Sequence, residues 1–224
     1  MITLHHLEYS QSFRILWLLE ELGAEYELKI YNRTESYQAP PELKELSPLG
    51  SAPVTTEGDL VLAESNAIAD YILDQHPEST LRVAPGDEDR LRYVFWLHAA
   101  QGTMMSMMIM EAVFAILVKR VPFWMRPLIK GVLGQASNLL IKPRIENLLK
   151  LAEKDLAEKP WFGGSNLTAA DIVMHYPMAS ALSRGYVTDA FPNSLAWLER
   201  VSECPSFKAA VEKDGRDSIV LQVE

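Results

Sequence analysis

The sequence predicts an α/β half followed by an all-helical half. Three observations predict it: a strand–helix–strand succession near the start, a pair of short strands too close for a crossover, and only helical periodicity from residue 89 onward. Ile2 to Leu7 reads as a short strand. Phe13 to Leu22 repeats apolar residues at helical spacing and stops at Gly23, and Tyr26 to Ile30 alternates as a second strand. The intervening helix is long enough for a parallel crossover, so this is a βαβ unit. A helical turn at Pro41–Leu46 follows. Pro53–Thr56 and Leu60–Ala63 flank Glu57-Gly58-Asp59, which forces an antiparallel hairpin. A helix from about Ser65 to Gln75 closes a mixed sheet of four strands.

Residues 77–89, rich in Pro, Gly, Ser, Asp and Glu, mark a break in the chain. The expected division is 1–80 for the α/β domain, 81–88 for a linker and 89–224 for the helical domain. Helical patterns run over 89–120, 124–158, 168–182, 194–202 and 205–213. Pro127 and Pro143 should kink or split the second of these.

With 224 residues and 48% hydrophobic side chains, the chain can bury a sizeable core. Its net charge of −9 argues against nucleic-acid binding, which needs a clustered basic excess. One cysteine, Cys204, leaves no intrachain disulfide, no redox pair and no thiolate-rich metal site. The opening residues lack the charged, apolar and small-residue sections of a secretory leader, so a mature N-terminus and a cytoplasmic protein are expected. Met104 to Val118 is the longest apolar run. Glu111 interrupts it and it falls short of a membrane span, so it reads as a buried helix.

Leu49-Gly50-Ser51-Ala52-Pro53-Val54 carries the first functional hint. Gly50 and Pro53 restrict the backbone around Ala52, freeing its N–H and C=O for a peptide-shaped ligand. Pro53 is also a candidate for a cis peptide bond, since the penalty for X-Pro is only about 0.5–1 kcal/mol. An ordinary turn is the alternative.

This turn, the Glu64-Ser65 pair at a helix start, Ser10-Gln11-Ser12-Phe13-Arg14, Asn166-Leu167-Thr168-Ala169-Ala170-Asp171 and the end from Trp197 to Phe207 together resemble the glutathione transferase family. The resemblance covers nearly the whole chain. It is closest to a bacterial and fungal branch related to yeast transferases. It implies a thioredoxin-like N-terminal domain that binds glutathione and a helical domain that supplies most of an apolar substrate site. No metal is implied. Ala52, before Pro53, is expected to pair through its backbone with the cysteinyl part of glutathione. Glu64 and Ser65 match the pair that holds the γ-glutamyl end, where a helix N-terminus favours a carboxylate; capping alone is the alternative for Ser65. Lys44 is a candidate for the glycyl carboxylate, with Arg33 and Asn32 as helpers. Ser51 stands where the family often has a basic residue or glutamine, which puts that end in question.

A free cysteine thiol is only about 3% thiolate at pH 7; lowering its pKa to about 6.5 gives roughly 75% and needs about 2.7 kcal/mol. Ser10, four residues before Arg14, matches the serine of serine-type transferases, which donates a hydrogen bond to sulfur and is not a nucleophile. Tyr9 and Ser12 remain alternatives for that role. Arg14 is read as polar support. The absence of cysteine here argues against the cysteine-type thiol-transfer branches.

Met104, Met105, Met107, Met108 and Met110 crowd one helix, and methionine suits an adaptable pocket. Met104, Met108 and Phe114 are taken as candidates for the hydrophobic substrate site, although any single Met is better explained by the core. Between Ala112 and Ile145 there is no acidic residue, while six cations punctuate an apolar stretch. A basic exposed edge on long domain helices is preferred there to a membrane-surface segment. Thr168 and Asp171 form a capping-box pattern and are assigned to stability.

The resulting expectation is a homodimeric transferase that conjugates glutathione to small hydrophobic electrophiles in detoxification. Glutathione-dependent peroxidase, lyase or isomerase chemistry on the same site, or a non-catalytic ligand-binding protein of the same fold, are the alternatives.

Overall fold

The computed structural model describes residues 1–47 and 49–220. The last four positions of the 89–224 region lie outside the described residues. The first half contains β1 (Ile2–Leu7), α1 (Phe13–Leu22), β2 (Tyr26–Tyr31), α2 (Pro41–Leu46), β3 (Val54–Glu57), β4 (Leu60–Ala63) and α3 (Ser65–Gln75). The sheet order is β2-β1-β3-β4; β1 and β2 are parallel, and the other neighbours antiparallel. The tight connection after Glu57 works because Gly58 takes φ 57°, a conformation costly to residues with a Cβ.

Alternation along β1 separates two environments. Ile2, Leu4 and His6 share one face, and Ile2 and Leu4 join the core under α1 and α3. Leu7 points the other way, packing with Leu43 of α2, Ala39 and Val54. His6 therefore lies fully buried on the inner face of the central strand.

The second half is helical: α4 (Arg90–Ala99), α5 (Ser106–Arg120), α6 (Arg126–Ala136), α7 (Lys142–Glu158), α8 (Ala169–Ser183), α9 (Pro192–Glu203) and α10 (Pro205–Asp214). π-helical turns at Ala100–Met105 and Ser137–Ile141 join α4 to α5 and α6 to α7. The second turn explains why Pro143 causes no break. Lacking an N–H, proline cannot bond the carbonyl of residue 139, and the widened turn immediately before it absorbs the mismatch. Pro127 lies in the first turn of α6, where its missing N–H costs nothing.

Asp171 ties this half together. Its buried carboxylate accepts the N–H groups of Phe162 (2.7 Å) and Thr168 (3.0 Å), the Thr168 hydroxyl (2.9 Å) and the Trp197 indole N–H (3.0 Å). Trp96 and Trp197 pack against Phe162 beside it, tilted and edge-on, at centroid distances of 4.6 and 4.8 Å.

The expected burial of the Met104–Val118 helix is corrected. Met104 and Met105 are buried in the π turn, but Met108 is the one buried residue of α5. Ile109, Met110, Val113, Ile116 and Leu117 are exposed, as are Phe123 and Trp124 beyond the helix end. The helix packs on α6 and α8 along only part of its surface, so its apolar composition does not make it a core segment.

Candidate functional site

A cavity of about 310 Å³ opens where the C-terminal end of β1 meets α5 and α8. Tyr9, Ser10 and Ala52 line it from the first half, and Met105, Met108 and Tyr176 from the second. Arg33 and Arg184 also border it, and among the described lining residues there is no carboxylate. It suits an anionic ligand with an apolar partner. A larger cleft of about 510 Å³, between α7 and the α8–α9 loop, holds none of the residues singled out from the sequence.

Hairpin geometry builds one wall. His5 pairs with Val54, and Val54 with Ala63, so the turn before β3 and the start of α3 both lie beside the end of β1. The Ala52–Pro53 bond is cis and Gly50 sits at φ 63°. The Ser47 hydroxyl accepts the N–H groups of Leu49 and Ser51, both at 3.3 Å. Lys44 extends from α2 toward Gly50, its ammonium donating to Gln38 Oε1 at 2.7 Å. Glu64 is exposed at φ 75°, and Ser65 is buried as the first residue of α3.

Tyr9, Ser10 and Gln11, in the loop between β1 and α1, form the floor. Tyr9 has φ 49° and its carbonyl accepts Tyr176 Oη–H at 3.0 Å and Arg33 Nη2–H at 3.1 Å. Arg33 also donates to the carbonyls of Glu8 (3.0 Å) and Tyr37 (2.8 Å), and burial lowers its pKa. Ser10 Oγ lies 2.7 Å from both the Leu7 carbonyl and Ser12 Oγ. Ser12 Oγ is 2.9 Å from His6 Nδ1, and His6 Nε2 is 2.5 Å from Asp214 Oδ1. Ser12 makes no cap bond to α1.

Arg14 is fully buried and reaches Gln101 Oε1 at 2.7 Å, with its guanidinium 5.7 Å from the Tyr176 ring centroid. Burial pushes it down to about 9. His175, in the same core, is held down to about 3 by burial and by the Arg14 charge.

The glutathione S-transferase N-terminal domain matches residues 1–74, and the glutathione S-transferase C-terminal domain matches residues 106–205. The chain belongs to the glutathione S-transferase family. Glutathione S-transferase 3 of Schizosaccharomyces pombe is 33% identical, over 99% of this chain and 91% of its own length. Glutathione S-transferase 1 of Saccharomyces cerevisiae is 27% identical over 95% of each. The crystal structure of a glutathione S-transferase from Actinobacillus pleuropneumoniae superposes with a TM-score of 0.77 at 36% identity, covering 96% of this chain and 93% of that one. The likeness to yeast transferases and to a bacterial one, and the thioredoxin-like and helical architecture of glutathione transferases, agree with what the motifs led one to expect.

Ser10, Tyr9, Ser51, Ala52 and Met108 share the cavity. Ser12 stands behind Ser10, fully buried. Pro53, Glu64 and Ser65 belong to the turn and helix start beside it, and Lys44 reaches toward Gly50 of that turn from α2. Met104 is packed in the core, and Phe114 rests half-buried against that core, so neither is among the lining residues. Tyr176, Arg184, Ile109 and Ala112 line the cavity without having been singled out from the sequence. Tyr176 lies five residues after the capping-box aspartate, and no local pattern distinguishes its cavity-facing position from its buried neighbours on α8.

Proposed function

We propose that this glutathione transferase binds glutathione along the Ala52–Pro53 turn, holds its thiol as thiolate at Ser10, and adds the sulfur to small apolar electrophiles. The position of Ser10 carries this reading: it lines the cavity three residues before α1, together with Ala52 and two bordering arginines. A hydrogen bond to a charged group is worth about 1.5–3 kcal/mol and a helix N-terminus about 0.3–1, together enough for the ~2.7 kcal/mol that the thiol requires.

The glutathione backbone would pair with Ala52 while its γ-glutamyl carboxylate meets the start of α3, with Glu64 available to the ligand amine. Lys44 supplies a cation near Gly50 for the glycyl end, compensating for the uncharged Ser51. Met105, Met108, Ile109 and Ala112 form an apolar wall for the electrophile. Peroxidase, lyase or isomerase chemistry would use the same thiolate. A cytoplasmic homodimer acting in detoxification completes the proposal; exposed Leu60 and Val61 on β4 offer apolar surface to a second copy.

Calorimetric titration with glutathione tests binding, and its absence at millimolar ligand would remove every glutathione-dependent reading. Thiolate absorbance of the bound ligand then assigns the donor. Ser10→Ala should abolish most of it and Tyr9→Phe should not; the reverse result would transfer the role to Tyr9. Turnover with haloaromatics, enals and hydroperoxides separates conjugation from peroxide reduction.

A further inference from the structure

Behind Ser10 runs a buried line of polar groups reaching the far end of the chain: Ser10, Ser12, His6 and Asp214, all no more than 7% exposed. Three links of 2.9 Å or less must each hold a proton: Ser10 Oγ to the Leu7 carbonyl at 2.7 Å, Ser10 Oγ to Ser12 Oγ at 2.7 Å, and Ser12 Oγ to His6 Nδ1 at 2.9 Å; the longer contact of Ser12 Oγ with the same Leu7 carbonyl, 3.1 Å, competes for the Ser12 hydrogen and is left without one while Ser10 donates there. Two hydroxyls bring only two protons. The Leu7 N–H, 3.0 Å from Ser12 Oγ, occupies one of that oxygen's lone pairs and contributes nothing to the three links. The third proton must come from the imidazole.

Asp214 makes that possible. A buried carboxylate at the C-terminal end of α10 faces the negative end of the helix dipole and needs a compensating positive charge. Arg216, two residues on, donates instead to Glu8 Oε2 (3.0 Å) and Asn32 Oδ1 (2.8 Å). Asp214 Oδ2 has no partner among the described residues, and Oδ1 meets only His6 Nε2, at 2.5 Å.

We infer that His6 and Asp214 are positioning residues for the thiolate donor: His6 donates through Nδ1 to Ser12, Ser12 donates to Ser10, and the Ser10 hydroxyl is left to turn from the Leu7 carbonyl to the ligand sulfur. With its lone pairs filled by the Ser12 hydroxyl and by the Ser12 N–H (3.2 Å), Ser10 can only donate outward. Ser12 and His6 do not border the cavity, so neither acts as a nucleophile or base. Without the Nδ1 proton, Ser12 would turn its hydrogen toward His6 and Ser10 would turn its own toward Ser12. This inference rests on Ser10 being the sulfur's donor.

Two measurements test the line. Two-bond proton–nitrogen correlation spectra of glutathione-free protein, with His6 assigned through His6→Asn, should show Nδ1 protonated; a lone-pair nitrogen there would overturn the inference. Thiolate absorbance of bound glutathione at pH 7 should fall roughly tenfold in Asp214→Asn while its dissociation constant changes less than twofold. An unchanged thiolate signal in a folded Asp214→Asn variant would equally overturn it. Should that variant not fold, His6→Asn, whose amide nitrogen can replace Nδ1, should retain more thiolate than His6→Leu, and equal loss in both would count against the inference. If Ser10→Ala keeps its thiolate, the donor assignment fails, whereas the spectra still report the direction of the hydrogen bonds.

Discussion

The Tyr176 hydroxyl donates to the carbonyl of Tyr9 at 3.0 Å, joining α8 to the loop that carries Ser10. Tyr9 holds φ 49°, which is unfavourable for a residue with a side chain. The second donor to the same carbonyl is Arg33. Tyr176→Phe therefore leaves the carbonyl partly satisfied and should cost only about 0.5–1 kcal/mol in urea unfolding. Paired with Arg33→Ala, the loss should exceed the sum of the single changes, because the carbonyl then has neither donor.

Glu64 occupies φ 75° where glycine would be at ease. A strained residue beside a ligand site exchanges stability for placement of its side chain. Glu64→Gly is expected to raise the melting temperature, by about 2–4 °C for roughly 1 kcal/mol. On the binding mode proposed above it should also weaken glutathione binding about tenfold, because the carboxylate would no longer pair with the ligand amine. Calorimetry and thermal melts on the same variant check both signs.

Acid sensitivity should trace in part to His175. Its ring is packed edge-on against Phe207 and Trp17, with Nδ1 lacking a partner among the described residues. Its folded pKa is about 3, against 6.5 for the ordinary side chain. Between those values the unfolded chain binds the extra proton, so stability falls as pH falls. At pH 5 the loss from this group is about 2 kcal/mol. Burial raises Asp171 above its ordinary value, which works in the opposite direction. The clean readout is a comparison of variants: His175→Phe should gain about 2 kcal/mol relative to the parent between pH 7.5 and pH 5 in denaturant titrations.

Asp171→Ala should destabilise the protein by about 3–5 kcal/mol, since the N–H groups of Phe162, Thr168 and Trp197 all lose a buried acceptor. Asp171→Asn keeps the volume but sets an amide donor against other donors, and should still cost more than 2 kcal/mol. Chemical unfolding checks both, and a loss below 1 kcal/mol would contradict the assigned role.

What could be read from the sequence was local. Pro53, Gly58 and Ser65 fall within one hairpin and the helix start after it, so spacing alone dictates register and brings the turn beside α3. Thr168 and Asp171 are three residues apart on one helix, and their bond follows from helical geometry. The partners of Ser12, by contrast, include His6, which in turn depends on Asp214 208 positions later. No periodicity reports such a pairing. Tyr176 and Arg184 were missed for the same reason, and the exposure of α5 was misread because apolar composition does not say how many neighbours a helix has.

Trp17, on α1, donates its indole N–H to Ser206 at 3.1 Å, and Phe13 and Trp17 pack against Phe207 with centroids 5.5 and 5.1 Å away. Both partners sit on α10, as does the carboxylate that meets His6. A ribosome releases residues 1–75 long before it releases α10. The α/β half thus emerges with its largest aromatic side chains uncovered and Nε2 of its central histidine without the Asp214 carboxylate, and its final packing must wait for α10.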